Sequence, residues 1–86
     1  MDTIEMNRKA VWTLQEWDPF NLGVDSYETE TADVVADLQN IDHPSELARR
    51  IQEIYEHSFE QWIPLEKCVE ISYKLIALKY EMKCII

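Results

Sequence analysis

Apolar residues recur every three or four positions over four stretches of the chain, which is the spacing of amphipathic helices. The pattern predicts a first helix from about Thr3 to Trp17 and a second from Tyr27 to about Leu38. A third helix is predicted to begin at His43-Pro44-Ser45-Glu46, because proline suits the first helical turn. Trp62-Ile63-Pro64 should break that helix and begin the fourth. We therefore predict an all-α fold, a single-domain bundle (1–86) of about four helices with short connections.

The predicted helices each have an inward apolar face. The faces of the first two consist of Ile4, Val11, Leu14 and Trp17, and of Tyr27, Thr31, Val34, Val35 and Leu38. Those of the last two consist of Leu47, Ile51, Ile54, Tyr55 and Ser58, and of Cys68, Ile71, Leu75, Leu78 and Met82. The last helix has wider apolar coverage than one stripe requires, through Val69, Tyr73, Ile76, Ala77 and Tyr80. It is therefore either central in the bundle or half covered by a partner, and a homodimer through this helix is one prediction, with Leu75→Asp or Ile76→Asp expected to disrupt it.

The predicted corner of the fold is the segment Trp17-Asp18-Pro19-Phe20-Asn21-Leu22-Gly23. Pro19 disfavours helical backbone at Asp18 and should end the first helix, and Gly23, the only glycine, can take a left-handed turn. Asp2 with Glu5 is expected to cap the first helix, and Asp25 or Ser26 to cap the second.

The net charge of −9 lies entirely in one stretch, because no Lys or Arg occurs between Lys9 and Arg49. That stretch holds nine carboxylates, and the remaining eight acids and eight bases cancel. Such a field repels nucleic acid and membrane surfaces and can steer a basic protein. We therefore predict a non-catalytic module that binds a basic protein partner, through Glu28, Glu30, Asp33 and Asp37 with Trp12 as an aromatic anchor. The alternative is that the carboxylates form a solvated face that maintains solubility.

Catalytic and cofactor signatures are weak. A single glycine cannot build a phosphate-binding loop, and an EF-hand starting at Asp18 would have Phe20 and Leu22 at ligand positions, so no cofactor is predicted. Glu53, His57 and Glu60 share one face of the third helix and form a weak candidate for metal ligation or proton transfer, with a metal-dependent enzyme as the corresponding alternative. The simpler interpretation of these three is a solvated, salt-bridged helix face.

The sequence also predicts a cytoplasmic location. The chain begins without a basic segment followed by an apolar run, and it has no apolar stretch of the roughly 20 residues needed to span a membrane. Cys68 and Cys84 lie on one predicted helix about 24 Å apart and cannot form a disulfide with each other. Unpaired cysteines suit a reducing compartment.

The run from Glu16 to Gly23, followed by an acidic helix, Glu46-Leu47-Ala48 and Cys68-Val69-Glu70-Ile71, resembles the YugE-like family of small Gram-positive bacterial proteins. The resemblance covers nearly the whole chain. It implies a compact helical domain, and it transfers no catalytic or binding residue to this sequence.

Overall fold

Four α-helices and one short 3₁₀ helix make up the structure, a computed structural model that describes the backbone of residues 3–84 and the side chains of residues 4–23 and 25–81. The α-helices are α1 (Thr3–Trp17), α2 (Glu28–Leu38), α3 (Pro44–Phe59) and α4 (Leu65–Cys84). The 3₁₀ helix, Val24–Tyr27, leads directly into α2. No strand occurs within residues 3–84, so the prediction of a small all-α bundle is confirmed.

The helices form a closed ring in which each packs against its two neighbours. α3 packs on α4, α4 on α1, α1 on α2 and α2 on α3, whereas α1 with α3 and α2 with α4 lie across the diagonals and share little contact. We call the two adjacent pairs α1–α4 and α2–α3 the two layers of the bundle, with the core between them. A residue in the outer groove of one layer lies on the opposite side of the molecule from the outer groove of the other.

The inward face of α1 differs from the predicted one. Met6, Ala10 and Leu14 are fully buried, whereas Ile4 is 68% exposed, so the placement of Ile4 in the core was wrong. Val11 and Trp17 are half-buried at the edge of the core, in agreement with their predicted side. Apolar residues cover more than half of the circumference of α1, and packing against both α2 and α4 selects the Met6 side.

The starts of two helices were predicted with mixed success. Asp25 and Ser26 lie inside the 3₁₀ helix, and α2 begins after Tyr27 without a side-chain cap, so both proposed caps were wrong. Ser26 instead donates its hydroxyl hydrogen to the Leu22 carbonyl at 2.9 Å. α3 begins at Pro44 as predicted, with His43 as the residue before it. The predicted cap Asp2 lies outside the described residues.

The predicted inward faces of the other helices are largely confirmed. All five predicted residues of α2 are buried, and so are Leu47, Ile51, Ile54 and Tyr55 of α3, whereas Ser58 is exposed. On α4, Cys68, Ile71, Leu75 and Ile76 are buried, Leu78 is half-buried, and the side chain of Met82 lies outside the described part. Burial raises the pKa of the Cys68 thiol to about 11, so this cysteine is a small core residue.

Five aromatic rings pack together where the corner meets α3. Tyr55 contacts Trp17 edge to face at a centroid distance of 5.6 Å and Tyr27 at 5.8 Å, and Phe59 contacts Phe20 at 5.1 Å. The hydroxyl group of Tyr27 donates a hydrogen bond to Asp18 and accepts one from the Phe20 amide. The buried hydroxyl of Tyr55 has no hydrogen-bond partner in the described part of the chain.

The hydroxyl of Tyr27 is hydrogen-bonded and that of Tyr55 is not, so replacing each tyrosine by phenylalanine should change the free energy of unfolding differently. Tyr55→Phe should leave the free energy of unfolding unchanged or raise it by up to about 1 kcal/mol, because the hydroxyl is buried without a partner. Tyr27→Phe should lower it by about 1–2 kcal/mol, because two hydrogen bonds are lost. Urea unfolding followed by circular dichroism measures both, and a larger loss for Tyr55→Phe than for Tyr27→Phe would contradict the assignment.

Candidate functional site

The net charge of the protein belongs to one layer of the bundle. Residues 18–64, which include α2, α3 and the connections around them, contain eleven Asp and Glu and two Arg, a net charge of −9. The segments that contain α1 and α4 hold six acids and six bases. The α2–α3 layer is therefore strongly acidic, while the α1–α4 layer is neutral.

Carboxylates line the outer groove between α2 and α3. Asp33, Arg50, Glu53 and His57 border a depression of about 330 Å³. A second depression, of about 480 Å³, continues along α3 and is lined by Glu53, Glu56, His57 and Glu60. The acidic face is the name that we give to five carboxylates, the four that line these depressions and Asp37, which pairs with Arg50: Asp33, Asp37, Glu53, Glu56 and Glu60.

Arg50 is the guanidinium side chain that lines this groove, and it already forms ion pairs with two carboxylates. Its guanidinium donates to Asp37 at 2.9 Å and to Glu53 at 3.0 Å. The hydrogen bond to Asp37 and the charge of that carboxylate raise the pKa of Arg50 above its ordinary value. Asp33, Glu56 and Glu60, which are all exposed, form no ion pair among the described residues.

The four acids predicted for partner binding do not share one surface. Asp33 and Asp37 belong to the acidic face, and Glu28 is exposed elsewhere on α2. Glu30 is only 7% exposed, so it does not lie on the accessible surface that its predicted role in partner binding requires. Its position three residues after Tyr27 and four before Val34, both buried, puts it at the edge of the inward stripe. The structure adds Glu56 of α3 to the groove, a residue that the sequence interpretation missed.

Glu53, His57 and Glu60, the candidate metal residues, line the same open depression along α3. Among the described side chains, those of residues 4–23 and 25–81, no three His, Cys, Asp or Glu are grouped so that they could hold a metal ion. Glu60 lies just after the last turn of α3 in a left-handed conformation, with φ of 54°. Glu53 and Glu60 contribute negative charge to this depression.

Trp12 lies on the opposite side of the bundle from the acidic face. It is 63% exposed and borders the outer groove between α1 and α4, which has a volume of about 500 Å³ and is also lined by Ala77 and Leu78. On the other side of α4, Ala77 lines a second groove with Tyr73 and Tyr80. We call the residues around these two grooves the aromatic face: the exposed Trp12, Tyr73, Ala77 and Tyr80 with the half-buried Leu78. Trp12 is exposed as predicted, but it cannot share a surface with the acidic face.

Hydrogen bonds to the side chain of Asp18 fix the conformation of the Trp17–Gly23 corner. Asp18 accepts hydrogen bonds from the Leu22 amide at 2.9 Å, from the Gly23 amide at 3.2 Å and from the Tyr27 hydroxyl. The bond from Tyr27 contributes most to lowering the pKa of Asp18 below its ordinary value. Pro19 follows the left-handed Asp18, and Gly23 adopts φ of 99°, which a residue with a side chain rarely takes. The corner therefore positions Trp17 and Phe20 against α3.

The family model described as "Domain of unknown function (DUF1871)" matches residues 9–85. The chain belongs to the DUF1871 family. The Bacillus subtilis protein "Uncharacterized protein YugE" is 39% identical to it over 77 residues, which is 90% of each chain. The predicted YugE-like resemblance is therefore confirmed.

A solved crystal structure from Bacillus stearothermophilus has the same fold as this DUF1871 chain. The TM-score is 0.89 at 36% sequence identity, and the match covers 91% of this chain and 96% of the other. No helix within residues 3–84 is both long enough and apolar enough to cross a membrane.

Proposed function

We propose that this DUF1871 protein is a non-catalytic module that binds a basic protein partner through its acidic face. The observation that supports the proposal is the segregation of charge, in which the α2–α3 layer has a net charge of −9 and the α1–α4 layer has none. A solvated surface that only maintained solubility would not require this separation. A one-sided field orients an approaching basic protein and accelerates its association.

The shape of the groove supports the same partner class. Asp33 contributes a carboxylate from α2, Glu56 one from α3 and Glu60 one from the residue that follows α3, around depressions that are open to solvent. Lys and Arg side chains are long enough to enter such depressions and pair with the carboxylates. The ion pairs of Arg50 fix the positions of Asp37 and Glu53 in the absence of a partner.

We also propose that the protein is cytoplasmic. A cytoplasmic location agrees with the buried, unpaired Cys68 and with a partner that is a soluble basic protein. We also propose that the protein has no catalytic role, because the charged groups in the groove are exposed. Among the groove carboxylates, none is enclosed in the manner that tunes a catalytic acid or base.

Neutralising three carboxylates of the acidic face should weaken binding of the basic partner by at least about tenfold at 0.15 M salt. The variant is Asp33→Asn with Glu56→Gln and Glu60→Gln, which leaves both ion pairs of Arg50 in place. The affinity is measured by isothermal titration calorimetry, with the basic protein that the tagged wild type captures from lysate as the titrant. A substitution set that included Glu30 would test folding as well as binding, because Glu30 is buried.

The matched control neutralises three carboxylates of the other layer, Glu16, Glu66 and Glu70, each changed to Gln. All three are exposed, and the control changes the net charge by the same amount. We expect its affinity to stay within about twofold of the wild type, because these three carboxylates do not line the groove. Equal losses in the two triple variants would show that total charge, and not the acidic face, determines binding.

A further inference from the structure

The aromatic face is the second unusual surface of the bundle, and nothing in the proposed function uses it. Trp12 and Tyr73 are each 63% exposed, and Tyr80 is also exposed. Large side chains of this kind cluster on a folded monomer mainly where another protein covers them. The surrounding α1–α4 layer is neutral, whereas the rest of the surface is strongly acidic. A low charge density with exposed aromatics is typical of the centre of a protein interface.

Ala77 lies at the centre of this face. It lines both the groove on the α1 side of α4 and the groove on the α3 side, so it occupies the outer crest of the helix. Tyr73 and Tyr80 flank it at four residues before and three after. A small residue at a helix crest, between larger neighbours, allows the backbone of another helix to approach closely.

We infer that α4 packs against α4 of a second copy of this chain, in an antiparallel crossing centred on Ala77, to form a two-fold symmetric homodimer. The charges along the crest agree with this arrangement. Lys74 and Glu81 lie three residues before and four after Ala77, and both are exposed on its side of the helix. A two-fold axis at Ala77 places Lys74 of each copy beside Glu81 of the other, so the same face is complementary to itself.

The charge distribution of the molecule also suits a second copy. The acidic layers of the two copies point away from each other. Contact through α4 therefore keeps the repulsion between two chains of charge −9 low. The inference does not depend on the proposed function, because both acidic faces remain accessible.

The test is the molar mass of the full chain by light scattering after size exclusion, from 1 to 100 μM. We expect the wild type to reach about twice 10.2 kDa within this range. Ala77→Glu should weaken the dimer by at least about tenfold, because it places two like charges at the symmetry axis. Ala77 is exposed, so the helix content of the variant should match that of the wild type.

Ala36→Glu provides the control, because Ala36 is an exposed alanine of α2 in the other layer and the charge change is the same. This variant should dimerise as the wild type does. Lys74→Glu and Glu81→Lys should each weaken the dimer, and the double variant should recover it, a result that a different partner protein would not give. Three results would overturn the inference. They are a wild type that is monomeric at 100 μM, equal dimer affinities of Ala77→Glu and Ala36→Glu, and a Lys74→Glu/Glu81→Lys double variant whose affinity does not recover.

Discussion

Leu75→Asp unfolds the protein at every concentration, which is the largest effect that we expect from a single substitution. Leu75 is fully buried in the core, where α4 packs against α1 and α3. The substitution removes a leucine side chain from the core and would bury an unpaired carboxylate, so we expect a loss of at least about 5 kcal/mol. A domain of this size has little more stability than that. Circular dichroism at 1 μM should show the loss of helical signal.

The effect at Leu75 also changes how the dimer is tested. The sequence interpretation proposed Leu75→Asp and Ile76→Asp as interface variants, but Ile76 is only 4% exposed and both residues support the fold of one chain. Tyr73→Asp, two positions away and exposed, is the matched control and should keep the helical signal of the wild type at 1 μM. If Leu75→Asp retained a cooperative unfolding transition near that of the wild type, the position of α4 in this fold would be wrong.

Lys79→Ala should lower the free energy of unfolding by about 3 kcal/mol. The side chain of Lys79 is buried, and its ammonium group donates to the Ile41 carbonyl at 3.0 Å and pairs with Asp42 at 2.9 Å. It therefore connects α4 to the segment between α2 and α3. The substitution removes both the charged contacts and the packing of the aliphatic stem. Urea unfolding followed by circular dichroism measures the change.

Lys67→Ala is the control for this prediction. Lys67 is an exposed lysine in the first turn of the same helix, and we expect its replacement to change stability by less than about 0.5 kcal/mol. Lys79→Met should lie between the two, because it keeps the stem and removes only the ammonium group. Equal effects of Lys79→Ala and Lys67→Ala would mean that the contacts to residues 41 and 42 do not stabilise the bundle.

The helices were predictable from the sequence because each has an apolar stripe and a clear boundary. Pro44 and Pro64 mark where α3 begins and where the chain breaks before α4, and Pro19 marks the end of α1. Orientation was less predictable where apolar residues surround a helix. On α1, Ile4 and Met6 are both apolar, and only packing against two neighbours decides which one is buried.

The candidate site was harder to predict because it depends on which helices are neighbours. The acids of α2 are close together in sequence, yet Glu30 and Asp33 differ in burial because they lie on different sides of the helix. Glu56 and Glu60 lie more than twenty residues further along the chain and reach the same groove only through the packing of α2 on α3. The burial of Lys79 was missed for a similar reason, because its partners are 37 and 38 residues away.

The central claim is that the acidic face binds a basic protein, and salt-stepped capture tests it most directly. The tagged wild type and the two triple variants are incubated with lysate of the organism that encodes the chain, and proteins released at each salt step are identified by mass spectrometry. We expect one basic protein to elute at moderate salt from the wild type and from the Glu16, Glu66 and Glu70 variant, but not from the Asp33, Glu56 and Glu60 variant. Recovery of that protein equally from both variants, or recovery of no protein besides the bait, would contradict the claim.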